Sequence, residues 1–527
     1  MNPPRILYTL DRLVASLVFL LLVHAVSEFN AGAASPNILL IIADDYGADS
    51  SSLYNSTNTG ASLPPTPNIA ALAQSGVLFR NAYANPVCSP TRACLLTGRH
   101  SFRTGIGDVI MGPASPALTA AEFTLPEAFA ANPGSGYQLA HFGKWHLGNG
   151  AASPNNLGGW PYYSGSLIGA VASYTNWTKT VNGVSTANYT NYATTDLVND
   201  AITWIQARGS QPWFAWIAFN APHTPFHKPP ASLAPHYAAL SGTAQNINAN
   251  PRPYYEAATE AMDTELGRLL AAVNRHTTHI VFLGDNGTPA QVLQPPYPST
   301  RGKDTLYEGG IHVPFIVAGP AVASPGRTND TLVHAVDIFS TILELAGFSV
   351  TSPVPAGVKI DSQSLLPMLS GVSNVTRFAY AEKFGTNTGS PDGRALRDDR
   401  YKIIRFDSGG DEFYDLQSDP IERTNLLLST LTVTQQQEYD HLVFHLGAFS
   451  TNAGPRILEE HRSGGRFAVS VLQVPGATYA LWRCADPSSG FWSPVAGANS
   501  GVTNGIVVLT DPAPLVDRAF YSVVQSP

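Results

Sequence analysis

The run Ile38-Leu39-Leu40-Ile41-Ile42-Ala43 enters Asp44-Asp45 without a polar interruption. A strand with one wet face alternates polar and apolar residues, so an unbroken apolar run predicts a parallel strand buried on both faces. The pattern returns at 138–142, 213–219 and 279–283, the last followed by Gly284 and then Asp285-Asn286. Between these runs, apolar residues recur at helical spacing over 195–208, 254–274 and 337–346. A further helix is expected from Thr66-Pro67 to about Val77, with Thr66 as N-cap and Pro67 in the first turn. Strands alternating with helices predict an α/β domain over 35–373: a large mixed, mostly parallel sheet flanked by helices.

The pattern then changes. Tyr401-Lys402-Ile403-Ile404-Arg405 and Glu412-Phe413-Tyr414-Asp415-Leu416 flank the turn Ser408-Gly409-Gly410, which predicts a smaller antiparallel-sheet subdomain over 374–463. Gly464-Gly465 reads as a linker, and short strand-like runs between Pro- and Gly-rich turns predict an accessory β-module over 464–527.

Charged residues make up only 13% of the chain, and Asn, Ser, Thr and Gly fill the polar surface, a composition suited to an exported protein. The net charge of −8 excludes a nucleic-acid partner held by phosphate neutralisation. It also means that an anionic substrate must be met by a local cluster of cations. Residues 1–34 have the layout of a signal peptide: Arg5 and Arg12, an apolar run over 13–26, then Ala31-Gly32-Ala33 as a small-residue cleavage pattern. The apolar run is shorter than the roughly 20 residues of a stable membrane span, and an uncleaved anchor is the alternative. The expected location is secreted or periplasmic. The three cysteines, Cys88, Cys94 and Cys484, form no disulfide framework, though a Cys94–Cys484 pair is open.

Candidate chemistry concentrates in a few segments. In Cys88-Ser89-Pro90-Thr91-Arg92, Pro90 near a helix start places Cys88 at the helix N-terminus, where free N–H groups favour developing negative charge. Arg92, one turn on, can point back at the same spot. Asp44-Asp45 and Asp285-Asn286 follow predicted parallel strands, and active sites of open α/β sheets lie outside such ends. Their three carboxylates and one amide form an all-oxygen set of the kind Ca²⁺ takes, whereas Mg²⁺ usually keeps several waters. Either pair alone reads equally well as a turn. In Phe142-Gly143-Lys144-Trp145-His146, extended backbone would put Lys144 and His146 on one side, within reach of one site. His223 follows another buried run, and nearby His227 reads as a surface residue.

Cys88-Ser89-Pro90-Thr91-Arg92, followed by Leu96-Thr97-Gly98, resembles the signature of the type I, formylglycine-dependent sulfatases, arylsulfatase-like members of the alkaline phosphatase superfamily. Phe142 to Gly148, Ala221-Pro222-His223-Thr224-Pro225 and Arg301-Gly302-Lys303 resemble further motifs of that family, and the likeness runs from about 36 to 427. Two positions depart from it: Gly284 where many relatives have Ser, and His312 in place of a usual Arg. The resemblance implies one Ca²⁺ on Asp44, Asp45, Asp285, Asn286 and the residue at 88, and a maturation enzyme that oxidises Cys88 to formylglycine. It implies that one hydroxyl of the hydrated aldehyde, hydrogen-bonded to Asp285 as proton acceptor, attacks sulfur while Lys144, Lys303 and the metal neutralise the sulfuryl oxygens. His223 and Lys303 are the candidates to protonate the leaving alcohol. His146 would deprotonate the second hydroxyl to expel sulfate, and Arg92 would orient the diol.

The expected activity is therefore hydrolysis of an aryl or carbohydrate sulfate monoester, with a sulfated small molecule or glycan as partner. Two alternatives stay open: a phosphonate monoester or phosphodiester hydrolase of the same superfamily, and a non-catalytic glycan-binding protein. Substrate choice would lie in loops such as 150–192, whose Tyr and Asn residues suit polar and stacking contacts with a sugar, or which serve only as exposed loop. Asn55, Asn176, Asn188, Asn329 and Asn374 occupy Asn-X-Ser/Thr sequences, acceptors in a glycosylating host.

Overall fold

A computed structural model describes residues 35–58, 60–372, 375–385, 390–449, 457–463, 466–472, 478–485, 492–496, 498–503, 506–515 and 520–526. The expected signal peptide, Asn374 and Gly464-Gly465 lie outside the described residues. No helix among those described is long and apolar enough to cross a membrane.

The opening apolar run is strand β1 (Asn37–Ala43), in the middle of a ten-stranded sheet. The strands that follow in chain order are β2 (Gly76–Phe79), β3 (Ala82–Tyr83), β4 (Gln138–Gly143), β5 (Tyr162–Gly165), β6 (Trp177–Val181), β7 (Val184–Tyr189), β8 (Trp213–Ala218), β9 (Thr278–Gly284), β10 (Phe315–Ala318) and β11 (Arg327–Asn329). The sheet order is β11-β2-β10-β9-β1-β8-β4-β5-β6-β7, with β3 outside it in a short ladder with Val333–His334. The centre is parallel: β1 pairs with β8 and β9, and β4 with β8. Strand β10 turns antiparallel against β9 and β2. Residues of β1 go alternately to two cores, Ile38, Leu40 and Ile42 to one face and Leu39, Ile41 and Ala43 to the other. Burying each such side chain is worth about 1.5–3 kcal/mol, which is why the run has no polar member. The helix Cys88–Thr97 contributes Ala93, Leu95 and Leu96 to the first core, with Ile338–Leu345 beside it. Ala193–Gln206 and Arg252–Ala271 cover the second.

Several expectations move by a few residues. The helix from Pro67 ends at Gln74, because Gly76 and Val77 pair with Ala318 and Val317 instead. Sheet pairing there outweighs local helical spacing. Thr66 occupies the N-cap position, but its side chain caps no N–H. The helix expected from Asp337 begins as a 3-10 turn over Ala335–Asp337, with His334 accepting from Val336 N–H.

The second sheet, four strands from Ala379–Lys383 through Gly393–Arg397 and Tyr401–Phe406 to Asp411–Asp415, is an antiparallel meander covered by the helix Val433–Ala448. The last stretch forms two small antiparallel sheets. Ile457–Ser463 pairs with Arg466–Leu472, so the chain on both sides of Gly464-Gly465 belongs to one sheet and the module starts earlier than composition suggested. Cys88, Cys94 and Cys484 are all free of disulfides, and Cys94 instead takes a hydrogen bond from Asn85 at 3.3 Å.

Candidate active site

The register of the central strands brings the candidate residues together. Ala43 pairs with Gly284 and Gly143 with Ala218, so β1, β9, β4 and β8 finish at one level. Asp44, Asp285 and Lys144 leave the sheet at that level. Cys88 begins its helix alongside, with Gly98 closing the other end in a left-handed cap. Asp45 and His146 have φ of 66° and 54°, a region costly for residues with a Cβ. Gly143 precedes Lys144 at φ 95°, and a Cβ there would lie 2.0 Å from the carbonyl oxygen of Ala218. Positive φ at Gly143 and His146 brackets the segment, whose Lys144, Trp145 and His146 N–H groups donate to the carbonyls of Ala218, Ser166 and Leu167 and so continue the strand pairing.

Arg92 is wholly buried and reaches across to the β9 end. Its Nη2 and Nε donate to Asp285 Oδ2 at 2.7 and 3.1 Å, and its Nη1 donates to the carbonyl of Lys144 at 2.9 Å. Lys144 Nζ lies 2.6 Å from Asp44 Oδ2, and Lys303 Nζ lies 2.5 Å from Asp45 Oδ1 and 3.9 Å from Cys88 Sγ. Asn286 Nδ2 donates to Asp45 Oδ1 at 2.8 Å, and the Asp45 N–H to Asp285 Oδ1 at 3.1 Å. His223 Nδ1 donates to the Thr224 carbonyl at 2.8 Å, which leaves Nε2 facing Asp45 Oδ2 at 3.6 Å.

Electrostatics follow from burial among these partners. Burial raises Asp285 to about 6 despite Arg92 and Lys144. Burial would also raise Asp45, but His223, Lys303 and Lys144 outweigh it and hold that carboxyl below the usual range. Burial depresses His223 to about 3, against the pull of Asp45, and pushes His146 well below its ordinary value. The Cys88 thiol is pushed up by burial, against the pull of Lys144 and Lys303.

The donor set suits a hard cation. Ligand atoms of Asp44, Asp45, Cys88 and His223 lie within 4.8 Å of one another. Asp44 Oδ1 and Asn286 Oδ1 are buried with no hydrogen-bond partner, a costly state that a cation would relieve. Three carboxylates stand against the charges of Arg92, Lys144 and Lys303, so a divalent ion would leave the site net positive and fit for an anion.

Other residues joined the site without any motif to announce them. Tyr255 donates to the Asp45 carbonyl at 2.9 Å, and Tyr174 donates to the carbonyls of Asn220 and His223 at 2.7 and 2.9 Å. Asp49 bridges the two acidic loops, accepting from Thr288 Oγ1 at 2.6 Å and from Gln294 N–H at 2.8 Å. His227 is half-buried: its ring stacks on Tyr174 at 4.0 Å and meets the Tyr192 hydroxyl at 2.9 Å. Tyr163 and Tyr174, expected among possible sugar-stacking residues, are buried in the core. His312 stacks on Tyr83 at 5.3 Å and donates to the Arg80 carbonyl at 2.7 Å.

A family model described as Sulfatase matches residues 36–348, and one described as N-sulphoglucosamine sulphohydrolase, C-terminal, matches 301–445. Arylsulfatase J of Mus musculus is 28% identical over 343 residues, 60% of this chain and 53% of that protein. N-acetylgalactosamine-6-sulfatase of Sus scrofa is 31% identical over 376 residues, 64% of this chain and 66% of that protein. The chain thus spans about half the length of the first relative and just under two thirds of the second. Among solved structures, Ps i-CgsB in complex with k-i-k-neocarrahexaose has a TM-score of 0.67 at 23% identity, covering 79% of this chain and 93% of that one. BT4656 with its substrate D-glucosamine-2-N,6-O-disulfate has a TM-score of 0.62 at 21% identity, covering 79% and 98%. At these identities the two structures speak for the fold.

Proposed function

The chain belongs to the sulfatase family, and on that premise we propose that it hydrolyses sulfate monoesters at the site around Cys88. The observation that carries the reading is the convergence on one helix N-terminus of Asp44, Asp45, Asp285, Asn286, Lys144, Lys303, His146 and His223. Calcium would supply charge neutralisation on Asp44, Asp45, Asp285, Asn286 and the residue at 88, and formylglycine made there from Cys88 by a maturation enzyme would supply the nucleophilic oxygen.

The chain's own residues do the rest. Lys144 and Lys303 bind the sulfuryl oxygens, where charge develops in the transition state. Arg92 holds Asp285 and the Lys144 carbonyl in place, linking the nucleophile helix to the ends of β9 and β4. Lys303 and His223 Nε2 both face Asp45; Lys303 carries a proton for the leaving alcohol, whereas His223, whose Nδ1–H goes to the Thr224 carbonyl, serves as the acid only once Nε2 takes up a proton. His146 keeps Nδ1 free of any partner and serves as the base that restores the nucleophile.

The substrate is proposed to be a sulfated carbohydrate or small aryl sulfate, a class supported by the likeness to an N-acetylgalactosamine-6-sulfatase and to BT4656 with its disulfated glucosamine. Export is proposed from the layout of residues 1–34. The organisation proposed is a catalytic domain, a subdomain from about 374, and an accessory β-module. The test is turnover by fully matured protein of matched aryl sulfate and aryl phosphonate, beside a panel of sulfated sugars. Preference for sulfate is expected. Preference for phosphonate would assign the site to the other branch of the superfamily, and no turnover of any ester would leave it a binding protein.

A further inference from the structure

His146 Nε2 lies 3.2 Å from the carbonyl oxygen of Ile110. A carbonyl only accepts, so Nε2 carries the proton and the lone pair of the neutral ring is on Nδ1. Ile110 is itself held by Ser89, whose Oγ accepts from the Ile110 N–H at 3.2 Å. The same Oγ donates to the backbone carbonyl of His146 at 2.9 Å. Ser89, Ile110 and His146 therefore close a ring of three hydrogen bonds, every member buried. The ring begins one residue after Cys88, so it ties the candidate base directly to the nucleophile's helix. On its other side the imidazole has no slack: a Cβ on Gly169 would lie 2.6 Å from His146 Cε1.

We propose that Ser89 is a positioning residue for the sulfatase reaction, fixing through Ile110 both the tautomer and the placement of His146. This rests on the functional reading above, in which His146 Nδ1 is the base. Hydroxyl removal would leave the Ile110 N–H and the His146 carbonyl buried without partners. The 108–110 loop could then shift, and the Ile110 carbonyl would no longer dictate which ring nitrogen is protonated.

The test is a double-mutant cycle between Ser89→Ala and His146→Ala, in protein whose aldehyde content at position 88 and folded fraction are measured and used to normalise turnover of 4-nitrophenyl sulfate. Ser89→Ala alone is expected to lower kcat about 10- to 100-fold with KM within about threefold, the loss typical of a misplaced acid–base group. In the His146→Ala background the same change should move residual turnover less than about twofold, because the group it positions is gone. Ser89→Thr, which keeps the hydroxyl, should recover most of kcat. Equal fold-losses in both backgrounds, or an unchanged kcat in Ser89→Ala, would overturn the tether alone. Full turnover by His146→Ala would overturn the functional reading and the tether with it.

Discussion

Lys402 sits wholly buried where the antiparallel subdomain meets the loop that carries Lys303. Its Nζ donates to Glu308 Oε1 at 3.0 Å and lies 2.7 Å from Glu422 Oε1, an ion pair without hydrogen-bond alignment. Glu422 Oε2 accepts from the Glu308 N–H at 2.7 Å, and Glu308 Oε2 accepts from Tyr83 Oη at 2.9 Å. The only other cation pairing with either carboxylate among the described lysines and arginines is Arg397, 3.9 Å from Glu308. Lys402→Met keeps the bulk of the side chain and removes the charge. Breaking a buried pair in this way costs about 3–5 kcal/mol, because the partner is left charged and desolvated. Against a total of roughly 5–15 kcal/mol, that is a large part of the stability.

The pH dependence gives the prediction its sign. Burial would raise Glu308, but Lys402, Arg397 and His312 outweigh it and hold it at about 2, against an ordinary 4.5. A carboxyl depressed in the folded state stabilises above its unfolded pKa and loses that contribution as pH falls toward the folded value. Burial raises Glu422, and Lys402 is the first influence against it. Without Lys402 both carboxyls are pushed upward, so the folded variant favours their protonated forms and is penalised increasingly as pH rises above about 4.5. Urea denaturation followed by tryptophan fluorescence should therefore show the full loss at pH 8 and a smaller one at pH 5. Adding Glu422→Gln should restore part of it at pH 8. A loss under about 1 kcal/mol, or one that grows on acidification, would refute the reasoning.

Three further outcomes are expected. Asp45→Ala and Asn286→Ala should each lower calcium affinity by titration calorimetry and turnover together, since each removes an oxygen from one donor set; survival of both would show the set is wrong. Tyr174→Phe loses the hydroxyl that spans the Asn220 and His223 carbonyls, about 0.5–1.5 kcal/mol of hydrogen bonding, and should lower kcat severalfold with little change in KM. In a glycosylating host, peptide mapping should find glycan at exposed Asn176 and Asn188 but not at Asn55 or Asn329, which are buried.

What the sequence disclosed depended on how its signals are encoded. Buried parallel strands carry their own signature, so β1, β4, β8 and β9 were legible within a residue or two. Cys88, Asp44, Lys144 and Lys303 could be singled out as candidates because each stands in a short motif. Residues that act through backbone atoms could not. Ser89 bonds to Ile110 and His146 from 21 and 57 positions away, and Tyr255 to Asp45 across 210. No local pattern encodes such contacts, since any buried hydroxyl facing the right carbonyl would serve. The contacts of His227 were hidden for the same reason: its partners Tyr174 and Tyr192 lie in a loop that composition marks as polar.

The most direct test of the central claim is the chemical state of position 88 set against turnover. Mass spectrometry of the tryptic peptide ending at Arg92, on preparations matured to different extents, gives the fraction carrying an aldehyde. Hydrolysis of 4-nitrophenyl sulfate should rise in proportion to that fraction and extrapolate to zero at none, and Cys88→Ser should accumulate a sulfated serine with negligible turnover. Undiminished hydrolysis by protein retaining the Cys88 thiol, or sustained turnover by Cys88→Ser, would contradict the account.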